Sequence, residues 1–196
     1  MTDPAKARRV LIFGADGLRP DALTPDLMPT VWELAQSGVR GLDHHAVFPT
    51  HTRVNMSALA TGNMPGRHGI VANTMLVPNA TEDHVINTGD YRHLNALNTF
   101  SGGNALLTAS IGDILAAQGQ RVAVAASSTP GAAMLWTHNH MHRVINANST
   151  YGLADLTDLR EKLGEVPPRQ PGQAQTAVQG YIADAVCDVY LDDPDN

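Results

Sequence analysis

Two short apolar runs, each bounded by polar or turn-forming residues, stand out along the chain. Residues 10–15 lead directly into Asp16-Gly17, and residues 121–125 follow shortly after Gly119. Continuous apolar runs of this length are typical of strands covered by helices on both faces, as in a parallel sheet. We therefore predict a buried strand at each run.

Longer stretches carry apolar residues at helical spacing. Thr30 and Glu33 have the spacing of a capping box, which predicts a helix that begins there and ends near Gly38. Further helices are predicted at residues 55–60, 106–118 and 173–186, the last leading into a strand-like segment at 188–191. This alternation indicates an α/β fold with a largely parallel sheet between helices.

One long segment departs from this alternation. Residues 74–103 are polar and rich in Asn, with little periodicity. Segments of this kind commonly run over the surface, where substrate-facing loops lie. We expect residues 74–103 to be such a surface excursion.

Composition narrows the class of protein. The 196 residues suffice for one domain, or for one and part of another, and 43% of them are hydrophobic. The net charge of −6, without any basic block, argues against a nucleic-acid polymer as partner. The single cysteine, Cys187, excludes an internal disulfide, and without a basic neighbour we interpret it as a core residue.

The beginning of the sequence predicts neither export nor membrane insertion. Residues 1–9 are polar, and the apolar run behind them is too short for a signal-peptide core. No apolar stretch approaches the ~20 residues of a membrane helix. We expect a cytoplasmic protein without a membrane partner.

Three segments could carry chemistry, and each also has an ordinary structural explanation. Asp16 follows a predicted strand, where α/β sheets open their binding crevice, but Asp-Gly is also a common turn pair. Thr52 precedes a predicted helix, whose free N–H groups favour negative charge, but Thr is also a common N-cap. The acidic residues at 192–195 could bind a divalent metal or form a solvated turn.

Together, the segments resemble the nucleotide pyrophosphatase/phosphodiesterase branch of the alkaline phosphatase superfamily. The matching motifs are Asp16-Gly17-Leu18-Arg19, Pro49-Thr50-His51-Thr52, Thr61-Gly62-Asn63-Met64-Pro65, His68-Gly69-Ile70 with Asn73, and Tyr190 to Asp195. They extend over almost the whole chain, and their core at residues 48–73 is specific. The resemblance implies an alkaline phosphatase-like layered fold, with residues 1–196 forming the N-terminal portion of a single catalytic domain.

The resemblance also implies a role for each matching residue. Asp16 would ligate one of two divalent metal ions, zinc in the first instance, and Asp195 would ligate the other. Thr52 would be the nucleophile, with its hydroxyl bound to the same zinc as Asp16. Asn73 would hold a non-bridging phosphoryl oxygen beside the backbone N–H near Arg53.

The sequence departs from the family pattern in two places. An aromatic residue and Pro usually follow the nucleophile, whereas here Arg53 and Val54 do, and Arg53 could meet a second negative charge on the substrate. The three later elements that carry histidines in the family are absent after Asp195. Since zinc needs about three protein ligands, we expect this chain to be part of a longer enzyme or a truncated product, with an incomplete sheet and poor zinc binding by itself.

The function implied is metal-dependent hydrolysis of phosphodiester or pyrophosphate bonds through a phospho-threonine intermediate. The partner would be a nucleotide or a similar small phosphate ester, and the sequence does not indicate an oligomeric state. A phosphomonoester or phosphonate hydrolase of the same superfamily is an alternative, and so is a non-catalytic remnant that keeps the fold.

Some histidines of the sequence could take part in a site. His138, His140 and His142 would share one face of a strand and could bind zinc, but a loop or an exposed strand face is the more ordinary explanation. His51 could touch the substrate, and His68 is expected to open a tight turn with Gly69.

Overall fold

A computed structural model describes residues 10–120, 122–138, 143–146, 149–151, 156–170 and 172–191. The chain divides into two compact units between His45 and Ala46.

The first unit contains a 3-10 turn and one helix among its described residues. The turn is Pro20–Ala22, and helix α1 is Pro29–Ser37. Pro29 suits the first helical position, because its fixed φ is helical and its missing N–H would have no partner there. The helix and its end at Gly38 are confirmed, but the capping box is wrong because Met28 is the N-cap and makes no side-chain cap.

The strand predicted at residues 10–15 is not formed. Val10 and Phe13 are 83% and 75% exposed, and none of the described strand ladders includes this segment. A strand is held by hydrogen bonds to a neighbouring strand, and the described ladders give residues 10–15 no such neighbour. The prediction of a buried strand is therefore wrong for this structure.

The second unit carries the remaining described elements. The helices are α2 Thr52–Thr61, α3 Pro65–His68, α4 Tyr91–Phe100, α5 Ile111–Ala116, α6 Pro130–Met134, α7 Leu156–Leu163 and α8 Thr176–Ala185, followed by a π-helical segment at Val186–Leu191. The strands are β1 Thr74–Leu76, β2 Val85–Asn87, β3 Ala123–Ala126, β4 Arg143–Asn146 and β5 Ser149–Tyr151.

These strands form two small sheets. Strands β1 and β2 pair antiparallel, and the second sheet has the order β3-β4-β5, parallel between β3 and β4 and antiparallel between β4 and β5. Two parallel strands must be joined by a crossover connection of about a dozen residues or more. Among the described strand pairs, only β3 and β4 are parallel, and the connection between them contains α6. The α/β class is confirmed, whereas the described strands do not form the predicted largely parallel sheet.

Several predicted elements differ in extent or type. Helices α2 and α8 are confirmed, but the helix predicted at 106–118 is only α5, which begins at a capping box of Ser110 and Asp113. The strand-like segment at 188–191 is π-helical. Cys187 lies in that segment and is exposed, so its interpretation as a core residue is wrong.

Residues 74–103 are not a surface excursion. They form β1, β2 and α4, and they bury Ile86, Leu94 and Leu97 in a core cluster that also contains Val54 of α2. Full burial of one such aliphatic side chain contributes about 1.5–3 kcal/mol. This cluster therefore fixes α2 against α4 and β2, and that packing positions the site described next.

A second core cluster brings Ile145 of β4 together with Leu159 of α7 and Ile182 of α8. Among the described helices, none is both long and apolar enough to cross a membrane.

Candidate active site

Thr52 is the first residue of helix α2. His51 is the N-cap residue, with extended backbone angles and no side-chain cap. Thr52 is thus not the N-cap residue, and the alternative that it serves only as an N-cap is wrong. Its half-buried side chain lies at the N-terminus of the helix, where the helix dipole favours negative charge.

Asn55 holds the loop that leads into Thr52. Its Oδ1 accepts a hydrogen bond from the Val47 N–H at 2.9 Å, and its Nδ2 donates to the carbonyl oxygen of His51 at 3.0 Å. The same Nδ2 lies 3.5 Å from the carbonyl oxygen of Pro49. One side chain in the first turn of α2 therefore fixes the path of the chain on both sides of the turn before Thr52.

Asn73 meets the start of α2 although it lies 20 residues further along the chain. The backbone N–H of Arg53 donates to Asn73 Oδ1 at 3.3 Å, and the Asn73 N–H donates to His51 Nδ1 at 3.4 Å. The structure thus brings together Thr52, Arg53 and Asn73, the core of the site expected from the sequence. His51 takes part as an acceptor for the backbone of Asn73.

The guanidinium of Arg53 is anchored by neutral groups. Its Nε donates to Thr88 Oγ1 at 3.0 Å, and its Nη2 donates to the Asn73 carbonyl oxygen at 3.4 Å. Thr88 is fully buried and itself donates to that carbonyl through both its N–H and its hydroxyl. Burial lowers the pKa of Arg53, yet a guanidinium stays protonated at neutral pH.

An open cleft of about 560 Å³ begins at Arg53. Its lining consists of Arg53, Asn87, Gly89, Asp90, Tyr91, Arg92, Thr129 and Pro130. Thr52 is not part of this lining, so Arg53 connects two regions, with its backbone at Asn73 and its side chain in the cleft.

Asp90 and Arg92 form an ion pair within the cleft. Arg92 Nη2 lies 2.6 Å from Asp90 Oδ2, and Asp90 also caps helix α4 by accepting from the Arg92 N–H at 2.9 Å. The hydrogen bond from the Arg92 side chain is the main cause of the lowered pKa of Asp90. The charge of Asp90 is therefore matched within its own pair.

Thr88, Gly89 and Asp90 are not among the residues predicted for the site, because their segment is polar and was expected to be a surface excursion. A signal was present: Gly89-Asp90 is a turn and N-cap pair, and Leu94 and Leu97 follow at helical spacing.

The other candidates lie elsewhere in the chain. Asp16 is in a turn of the first unit, where the Leu18 N–H donates to the Ala15 carbonyl oxygen at 3.2 Å. Asp195, His140 and His142 are outside the described residues. His138 lies in a turn after α6 rather than on a strand, and it is buried. The turn at His68-Gly69 is confirmed by the φ of +85° at Gly69.

The described residues do not assemble a complete zinc site. Within the described part of the chain, no three His, Cys, Asp or Glu side chains lie close enough together to hold a metal ion. An open catalytic zinc site needs about three protein ligands. The donors present do not fit the implied pair of ions by themselves, and we derive no catalytic step through a metal.

The family follows from comparison with known proteins. Residues 10–195 match the family described as type I phosphodiesterase / nucleotide pyrophosphatase. This match covers most of the chain, and the chain belongs to that family.

Curated relatives match a smaller region. Venom phosphodiesterase 2 of Crotalus adamanteus is 37% identical over 68 residues, which are 34% of this chain and 8% of that protein. Bis(5'-adenosyl)-triphosphatase enpp4 of Xenopus laevis is 39% identical over 67 residues, which are 34% of this chain and 15% of that protein. The matched region is thus a small part of each relative, and no solved structure matches the chain significantly.

Proposed function

We propose that the protein containing this chain hydrolyses phosphodiester or pyrophosphate bonds in nucleotides or similar small esters. Family membership supports this proposal, and so do the names of the relatives, which are phosphodiesterases and a dinucleoside triphosphatase. The observation that carries it is the hydrogen bond between the Arg53 N–H and Asn73 Oδ1, beside Thr52 at the start of α2.

In the proposed reaction, Thr52 is the nucleophile. Its Oγ1 forms a bond to phosphorus while the bond from phosphorus to the leaving oxygen breaks. The hydroxyl proton is lost to solvent, and the leaving oxygen takes up a proton. Water then cleaves the phospho-threonine and restores the hydroxyl.

Two groups next to Thr52 would hold the phosphoryl oxygens. The amide of Asn73 lies within hydrogen-bond distance of the first turn of α2, whose N–H groups point toward the helix start. Donors fixed in this way stabilise the negative charge that develops on the equatorial oxygens in the transition state. Arg53 would bind another part of the substrate.

The proposal includes two divalent metal ions, with zinc as the expected metal and Asp16, Thr52 and Asp195 among the ligands. This assignment rests on the family resemblance, as does the alkaline phosphatase-like layered architecture of the complete domain.

The test measures the turnover of a diester and of a monoester that have the same leaving group. It compares Thr52→Ala with the unchanged protein, both expressed from the complete gene. We expect faster turnover of the diester, and loss of turnover in Thr52→Ala. Thr50→Ala is the matched control, because Thr50 is exposed and lies two residues before the nucleophile.

Faster turnover of the monoester would instead favour the phosphomonoesterase alternative. If Thr52→Ala kept its turnover, the assignment of Thr52 as the nucleophile would be wrong. If the unchanged protein turned over neither substrate with any divalent ion, the non-catalytic alternative would replace the proposal.

A further inference from the structure

Arg53 is a half-buried cation whose charge no carboxylate balances in the described part of the chain. Both of its hydrogen-bond acceptors there, Thr88 Oγ1 and the Asn73 carbonyl oxygen, are neutral. Asp90, the carboxylate that lines the same cleft, is paired with Arg92 at 2.6 Å. The cleft therefore holds one unbalanced positive charge on its described lining.

The position of that charge is fixed by packing as well as by hydrogen bonds. A Cβ on Gly89 would lie 3.2 Å from Arg53 Cζ and 3.4 Å from Arg53 Nη1. The absence of a side chain at Gly89 thus lets the guanidinium rest against the backbone of the loop before α4. A guanidinium held in this way presents its planar donors in one orientation, which suits a two-oxygen acceptor.

Arg53 also connects the cleft to the proposed nucleophile. Its backbone N–H is at Asn73 Oδ1, one residue after Thr52, while its guanidinium lines the cleft. A substrate held at Thr52 would therefore lie beside the residue whose side chain lines the cleft.

We propose that Arg53 is a specificity-determining residue that selects substrates with a second oxyanion near the phosphoryl group that is transferred. The second group is a phosphate or a carboxylate, and its charge-assisted hydrogen bonds to the guanidinium occupy the cleft. This inference rests on the proposed function, since it assumes that the reacting phosphoryl group is held at Thr52.

The experiment measures binding, so that it does not depend on turnover. The protein is expressed from its complete gene, and all samples have the same metal content. Isothermal titration calorimetry measures the binding of three probes: methylphosphonate, phosphonoacetate and inorganic pyrophosphate. The first has one anionic group, the second adds a carboxylate and the third adds a phosphate. We expect at least one of the two larger probes to bind about tenfold or more tightly than methylphosphonate, the gain typical of a hydrogen bond to a charged group.

Arg53→Gln should remove that preference by weakening only the larger probes. Gly89→Ala should weaken them by less than Arg53→Gln does, since a Cβ 3.2 Å from Arg53 Cζ shifts the guanidinium by only a few tenths of an ångström. Arg67→Gln is the control, because it removes the same charge from an exposed position on α3 and should leave the preference unchanged. A larger gain in affinity for phosphonoacetate identifies the second group as a carboxylate, and a larger gain for pyrophosphate identifies it as a phosphate.

An equal preference in Arg53→Gln and the unchanged protein would overturn the inference, as would equal affinity for all three probes in the unchanged protein. The Thr52→Ala variant separates this outcome from failure of the proposed function. If Arg53 selects the probes but Thr52 is not the nucleophile, Thr52→Ala keeps both the affinity pattern and the turnover.

Discussion

Asn73 connects the two halves of the candidate site at the level of single side chains. Its Oδ1 accepts from the Arg53 N–H, and its carbonyl oxygen accepts from both the N–H and the hydroxyl of Thr88. The backbone of Asn73 thus orders the loop behind the cleft, while its amide faces the start of α2. These two roles can be separated by changing the amide alone.

Asn73→Asp should strongly reduce activity while leaving the fold intact. The substituted carboxylate can still accept from Arg53, but it replaces the Nδ2 donor with a negative charge that repels the phosphoryl oxygens. Steady-state kinetics should show kcat/KM reduced by about 100-fold or more, with the melting temperature little changed. Asn95→Asp adds the same charge at an exposed position on α4 and should have no such effect. Wild-type kinetics in Asn73→Asp would remove Asn73 from the site.

His68 should make stability depend on pH. It is fully buried, its Nδ1 accepts from the Ile70 N–H at 3.2 Å, and burial lowers its pKa from the ordinary 6.5. The unfolded chain therefore binds a proton at a pH where the folded chain does not. The contribution to stability is complete above about pH 6.5 and is lost as the pH falls from there through the folded-state pKa.

Urea unfolding between about pH 7.5 and pH 5.5 checks this expectation. His68→Asn keeps an acceptor for the Ile70 N–H but does not titrate, so its free energy of unfolding should vary less over this range than that of the unchanged protein. Parallel pH dependence in the two proteins would assign the effect to other groups.

At the scale of elements, the packing of α6 against the loop before α4 holds the cleft together. The Gly131 N–H donates to the Gly89 carbonyl oxygen at 3.0 Å. A Cβ on Gly131 would overlap the Thr88 carbonyl oxygen and would lie 2.8 Å from the carbonyl carbon of Gly89. The obstacle is backbone, which cannot rotate away as a side chain can.

Gly131→Ala and Gly180→Ala should therefore have opposite effects although both glycines are helical. Gly131→Ala should lower the free energy of unfolding by about 1–3 kcal/mol through overpacking, and should also weaken substrate binding because Thr88 and Gly89 position Arg53. Gly180 on α8 has open space around it, so Gly180→Ala should raise stability by about 0.5–1 kcal/mol. Chemical denaturation measures the free energy of unfolding of both variants. Equal changes in this free energy would contradict the packing described for α6.

The elements differ in how far the sequence determined them. Helices α2 and α8 follow from local spacing, and the order of the motifs predicts Thr52 and Asn73 as site residues. The strand predicted at residues 10–15 is wrong because a strand must pair with a neighbouring strand, and the local pattern of hydrophobic residues does not show whether that neighbour exists. Helix α4 was missed because its buried side chains, Leu94 and Leu97, are few among polar residues. The position of Arg53 directly after Thr52 suggests a role in substrate binding. Its neutral hydrogen-bond acceptors could not be predicted, because they lie 20 and 35 residues further along the chain.

At the scale of the whole molecule, metal binding should stabilise the fold. A ligand that binds only the folded state raises stability by about 2.7 kcal/mol at a concentration 100 times its dissociation constant. If Asp16 is a ligand, zinc should raise the melting temperature of the protein as its gene encodes it, and Asp16→Asn should reduce the rise. Asp26→Asn, at an exposed position of the same unit, is the control. An undiminished rise in Asp16→Asn would exclude Asp16 as a ligand.

Trapping the covalent intermediate shows directly whether Thr52 receives the phosphoryl group. The protein, as its gene encodes it, is mixed with a diester substrate, quenched in acid during turnover, digested and analysed by mass spectrometry. We expect an adduct on the peptide that contains Thr52, in which the phosphorus is bonded to Oγ1 and still carries the ester group of the diester that does not leave. Fragmentation should locate this adduct at Thr52, and it should be missing from Thr52→Ala. Turnover without an adduct at Thr52, or an adduct at another residue, would contradict the assignment of Thr52 as the nucleophile.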